Sequence, residues 1–221
     1  MTLLRNYKMP LTRAKKHWKK VKKKEQKIIE ANNALIKKVN ELVAKITKDV
    51  NDANRLSTQS EDSLINSTKV ALEEDIKQAE KLAKQAEDAT LLAEVNKVND
   101  AKNKGEEALK KINEIIVQKQ AIELAKLELQ KSLSELNKAT KNANLADDES
   151  TLPTAIASLT SVIANSNTTL AKYEDLKENE VIKPHYDALK NYLAKEAKNA
   201  LEQAKNRQEV KSKPKPKLIK I

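Results

Sequence analysis

Lys15, Lys16, Lys19, Lys20, Lys22, Lys23 and Lys24 crowd around Trp18, the one tryptophan in the chain, and Lys27 follows them. Ammonium groups at that density neutralise anions, and an indole among them adds an apolar foothold. Leu4, Tyr7, Leu11, Ala14, Trp18 and Val21 recur at helical spacing, interrupted near Pro10, so the lysines flank an apolar stripe. Read plainly, the stripe starts a helix whose seam continues downstream. Read for function, the same residues suit an anionic membrane surface or a wall polymer. Nucleic acid ranks below these, because Arg is scarce and no platform for base stacking is visible. Trp18 and those seven lysines are the candidate polyanion-binding residues.

The rest of the chain lacks the material for catalysis. There is no cysteine, which removes thiolate nucleophiles, disulfides and cysteine-ligated metal and leaves the redox compartment open. His17 and His185 stand too far apart in sequence to suggest a metal site or a triad. Gly105 is the one glycine, so no phosphate-cradling loop exists, and the acids are spread along helix surfaces rather than paired in an apolar pocket. The expectation is a protein that is not an enzyme, with no catalytic residue, cofactor or metal ion. Asn66-Ser67-Thr68 and Asn167-Thr168-Thr169 fit the glycosylation sequon but fall within predicted helices, where chance in an Asn-rich chain accounts for them. No apolar run reaches the ~18 residues of a membrane-spanning helix.

The elements that must position these residues are long helices. Lys, Glu, Ala, Leu, Asn and Gln dominate, Phe is absent and aromatics make up 2%. That is too little aromatic bulk for a wide core, whereas narrow seams between helices need only Ala, Leu, Ile and Val. The net charge of +11 is concentrated at the ends: residues 1–27 hold 11 Lys and Arg against Glu25 alone, and residues 205–221 hold seven against Glu209 alone. The middle is mildly acidic.

From Trp18 the apolar positions step by three and four through Val21, Ile28, Leu35, Val39, Leu42, Ile46, Val50 and Ala53. Glu25 and Asn32 occupy core positions of the same seam, a pattern that can set register or partner number and leaves oligomerisation through this helix open. The helix should end near Leu56. Thr58 and Glu61 are spaced as a capping box for a second helix carrying Leu64, Thr68, Leu72, Ile76, Ala79, Leu82 and Ala86. EDAT at 87–90 interrupts only softly. A third run extends from Leu91 to Leu145 with Gly105 as its one candidate hinge. ADDESTLP at 146–153 opens a fourth helix through Leu152, Ile156, Leu159, Ile163, Leu170, Tyr173 and Leu176. KENE turns the chain, a fifth helix presents Tyr186, Leu189, Leu193, Ala197, Ala200 and Ala204, and KSKPKPKLIKI cannot continue it.

This order of breaks occurs twice, with Leu72, Ile76, Glu87 and Asp88 matching Leu159, Ile163, Glu174 and Asp175. The predicted fold is all-α: elongated tandem three-helix bundles, coiled-coil-like, sharing a long central helix. The domains are a basic amphipathic head over 1–27, a first bundle over 28–125, a second over 126–208 and a basic Pro/Lys tail over 209–221. With segments such as DANRLSTQSEDSL and KNANLADDESTLPTAIASL, residues 38–208 resemble the FIVAR-type and spectrin-like repeats of bacterial surface and matrix-binding proteins. The resemblance implies a non-catalytic stalk or adhesive segment with a protein or host-matrix ligand, at the cell surface if the chain belongs to a larger exported protein. RNYK at 5–8 and KHW at 16–18 also resemble, at a different spacing, the basic head of some Gram-positive adhesin signals, yet no apolar run follows as a signal requires. With Met1 as the natural start, the expectation becomes a cytoplasmic coiled-coil scaffold tethered by its basic ends to anionic membrane or nucleic acid.

Overall fold

The computed structural model describes residues 11–213, and the regular structure within them is helical, with no strand among the described residues. Leu4, Tyr7, the 5–8 motif and the lysine–proline tail from 214 onward lie outside the described residues. The protein is an all-α helical bundle, as its composition and periodicity predict. Its contacts divide into two units, between Val117 and Gln118.

In the first unit α1 (Leu11–Ala53), α2 (Asp62–Asp88) and the leading part of α3 (Leu92–Leu145) run up, down and up. Lys45 of α1 meets Asp75 of α2 at 2.5 Å, and Lys38 and Gln85 line one groove, so these two helices are antiparallel. Lys111 of α3 donates to Asn54 Oδ1 at 3.2 Å, and Gly105 lies beside Ile46, so α3 is parallel to α1. Residues at three-four spacing make the seam: Val39, Leu42, Ile46 and Ala53 of α1, Ile65, Leu72, Ile76 and Ala79 of α2, and Val98, Ala101, Ala108 and Ile112 of α3 are buried. Gly105 belongs to the α3 row and does not interrupt the helix, so the expected hinge is a packing site. A Cβ there would stand 3.2 Å from Ile76 Cγ1 and 3.6 Å from Ile46 Cγ2. The missing side chain lets two isoleucines close over α3.

Three local expectations change. The Thr58–Glu61 capping box does not form, because α2 begins only at Asp62 and Glu61 makes no side-chain capping bond. Ser57 N donates to Ser60 Oγ at 3.0 Å and Gln59 N to Ser57 Oγ at 3.2 Å, so serines order the turn instead. Leu64 is exposed, and Ile65, one residue and about 100° further round the helix, takes its place in the seam. EDAT is a full stop rather than a soft one: Leu91 N donates to Ala86 O at 2.8 Å while Thr90 adopts φ 59°. This is a Schellman ending with threonine in the left-handed position where glycine is usual.

In the second unit the trailing part of α3 is followed by α4 (Thr151–Lys172), a 3-10 turn at Glu174–Leu176, and a last arm of α5 (Lys183–Tyr192), a π turn (Leu193–Ala197) and α6 (Lys198–Ser212). The acidic run starts α4: Asp148 Oδ1 accepts from Thr151 N at 2.7 Å and Ser150 N at 3.0 Å. The hydrogen bond from the Ser150 side chain, then those from Thr151, hold the Asp148 carboxyl down at about 2. All six seam positions expected of the last arm, Tyr186 to Ala204, are buried. Leu159 is buried as well, whereas Ile163 is only half-buried. Ala125, Ala139, Ala143, Ala197, Ala200 and Ala204 line this core, which lets the helices approach without large side chains between them. Ser132 and Ser166 meet inside it, Oγ to Oγ at 3.0 Å. At one end Tyr173 and Lys172 donate to Glu128 at 2.6 and 2.7 Å, and Tyr186 donates to Glu174. At the other end Arg207 donates to Ala143 O at 2.5 Å and Lys211 to Asp147 O, bringing cations to the C-terminal end of α3 and the residues just past it.

Candidate functional site

Between Leu11 and Ala53 there is neither Gly nor Pro, and Lys, Ala, Leu and Glu all favour helix, so α1 continues well upstream of its bundle. No side chain from Arg13 to Ala34 is buried, and Val39 is the first that is. At 1.5 Å per residue those upstream residues span roughly 33 Å. Trp18 is 64% exposed, Ile28 60% and Ile29 53%. The predicted seam therefore stops short: Trp18 and Ile28 keep the period, but α2 gives out shortly past Gln85, opposite Lys38, and covers nothing beyond.

The face itself persists. At 100° per residue, Ala14, Trp18, Val21, Ile28, Ile29, Leu35 and Ile36 fall within a sector of roughly 120°, with Glu25 and Asn32 among them. Lys15, Lys16, Lys19, Lys20, Lys22, Lys23 and Lys24 are exposed around the remaining surface, and with Trp18 they are brought onto one helix. None of them forms an ion pair among the described residues, and the first along α1 is Lys37–Glu41 at 3.8 Å. Lysines repeat at i,i+4 through Lys15, Lys19, Lys23 and Lys27, each like-charge pair costing a few tenths of a kcal/mol. The arrangement is an uncompensated column of positive charge beside an uncovered apolar stripe.

Elsewhere His17 is exposed on α1 and His185 half-buried in the second unit, and no cluster of metal-ligating side chains exists among the described residues. Asn66 and Asn167 are exposed within α2 and α4, with Asn167 Nδ2 donating to Ile163 O at 3.0 Å.

Sequence reasoning missed an acid pair of buried Asp75 and half-buried Asp49. Asp75 accepts from Lys45 through Oδ1, while its Oδ2 and Asp49 Oδ2 are both buried without a donor. Burial, then the hydrogen bond and negative charge of Asp75, push the Asp49 carboxyl above its usual range, against Lys45 and Lys48. The Lys45–Asp75 ion pair and the Asp49 carboxyl beside it form a polar clasp between α1 and α2. The signal was present: Asp49 follows Ile46 and Asp75 follows Leu72 at seam spacing. Beside the clasp, Lys38, Lys45, Gln78 and Lys81 edge an open groove of about 430 Å³ floored by Leu42 and Leu82.

No family model matches the chain, nor does any curated protein or solved structure. The resemblance to FIVAR-type and spectrin-like repeats is thus one of helical pattern and composition. Among the described residues no helix is long and apolar enough to cross a membrane.

Proposed function

We propose that the chain is a non-enzymatic helical repeat protein that serves as a stalk or adhesive segment of a bacterial surface protein. The observation that carries this reading is α3, a single helix of 54 residues that enters both units without a break at Gly105. A spacer passes from one repeat to the next without a flexible link, and a shared helix does this at no cost in loop ordering. The seams of Ala, Leu, Ile and Val support the same reading, because such cores hold helices side by side along their length. A scaffold tethered inside the cell is the second reading, favoured by the unpaired lysines of α1. Antibodies against the second unit, applied to intact and to permeabilised cells, separate the two. Labelling of intact cells is expected, and labelling only after permeabilisation would retire the surface reading.

A further inference from the structure

We propose that α1 upstream of Leu35 is a docking helix for an anionic lipid bilayer. The inference holds for either compartment, since it rests on the helix alone. Trp18, Ile28 and Ile29 present apolar surface that nothing among the described residues of the first unit covers. Nucleic acid or a wall polymer is held by ammonium groups and leaves such a stripe without a use, whereas the headgroup and acyl boundary of a bilayer accepts it and seats an indole at its edge.

The placing of the charges decides between lipid and a partner helix. A partner lying in the seam touches only the lysines flanking it, Lys15 and Lys22 on one side and Lys24 on the other. Lys16, Lys20, Lys23 and Lys27 lie on the back of the helix, where such a partner supplies no counter-charge. A charged surface acts at a distance: α1 is roughly 10 Å across and the Debye length is about 8–10 Å, so the back lysines still lie within the field. A second copy of this helix would bring like columns together and be repelled. Glu25 and Asn32 within the apolar sector keep the helix shallow, at the level of the headgroups.

The test uses the full chain with phosphatidylglycerol-containing vesicles, pure phosphatidylcholine vesicles and duplex DNA, read by flotation or co-migration and by the emission of Trp18. Binding to the anionic vesicles, a blue shift and a steep fall with salt are expected, with little binding to phosphatidylcholine. Ile28→Gln with Ile29→Gln should lower vesicle binding roughly tenfold or more while leaving helicity unchanged, because both side chains are already exposed. Glu25→Gln should raise it several-fold. Replacing Lys16, Lys20, Lys23 and Lys27 together by Gln should lower it strongly. No binding at low salt, or binding with Trp18 emission unmoved, overturns the proposal. Tighter binding to DNA than to the vesicles overturns it in favour of a general polyanion, and indifference to the four back lysines overturns it in favour of a helical partner.

Discussion

Replacing Gly105 by alanine should destabilise the first unit by about 1 kcal/mol, against the ordinary rule for helix interiors. Alanine in place of a mid-helix glycine normally gains ~0.5–1 kcal/mol from backbone entropy. Here the new Cβ would lie 3.2 Å from Ile76 Cγ1 and 3.3 Å from Cδ1, inside the roughly 3.5–4.0 Å of comfortable carbon contact. Cδ1 can swing away, but Cγ1 is tied close to the α2 backbone. Moving it costs about 0.5–1.5 kcal/mol as a distorted rotamer, and overpacking of a close-packed core costs about 1–3 kcal/mol. The loss outweighs the gain. Ile76→Ala removes both offending atoms and should itself cost ~2–5 kcal/mol. In that background Ile46 Cγ2, at 3.6 Å, is the remaining neighbour and an ordinary contact, so Gly105→Ala should now stabilise by about 1 kcal/mol. The sign reverses, giving a coupling of about 2 kcal/mol in a double-mutant cycle. Urea unfolding followed by far-UV circular dichroism measures it. Tyr173, Tyr186 and Tyr192 lie in the second unit, so tyrosine emission read in a common Tyr7→Phe, Trp18→Phe background is a control that should not move. Gly105→Ala stabilising the unaltered chain, or having equal effects in both backgrounds, would refute the close-packing account.

Thr90→Gly should stabilise by about 0.5–1 kcal/mol, since a β-branched residue at φ 59° is strained, and a lowered urea midpoint would contradict it. Ser132→Ala and Ser166→Ala should each cost ~1–3 kcal/mol by leaving one buried hydroxyl unpaired, while the double change should cost less than the sum; additive losses would count against the bond. Asp49 has a raised folded-state pKa, so its contribution is full below the usual carboxylate range and is lost as pH rises through the raised value. Relative to Asp49→Asn, the native chain should therefore lose stability from about pH 4 upward, and a constant difference in urea midpoints across that window would rule out the raised Asp49 pKa.

Periodicity made most of the scaffold legible because it reports which residues share a face. Tyr186, Leu189, Leu193, Ala197, Ala200 and Ala204 stand in one row in the sequence and in the core alike. The same signal cannot say whether a face is covered: Ile28 and Val39 keep one phase, yet the first is exposed and the second buried, because cover depends on where α2 turns back. That turn was itself hard to read, since Thr90 sits in a conformation that steric preference assigns to glycine. The Thr58–Glu61 spacing was present without its bonds, because Ser57 and Ser60 order a turn there and α2 starts only at Asp62. Of the candidate site, the lysines and Trp18 were legible as types on one helix. Their lack of a partner among the described residues was not, being a property of what lies opposite.

Ala143, near the end of α3, and Asp147, two residues past it, take their cations from Arg207 and Lys211, each 64 residues later in the chain. During synthesis at about 5–20 residues per second, those carbonyls wait several seconds for their donors, whereas a helix end melts and re-forms within about a microsecond. The last turn of α3 thus frays and recovers a great many times before anything fastens it. Until Arg207 and Lys211 are made, the carbonyls of Ala143 and Asp147 lack the cations that fasten them in the folded unit. The second unit is a structure whose completion is timed by its final arm.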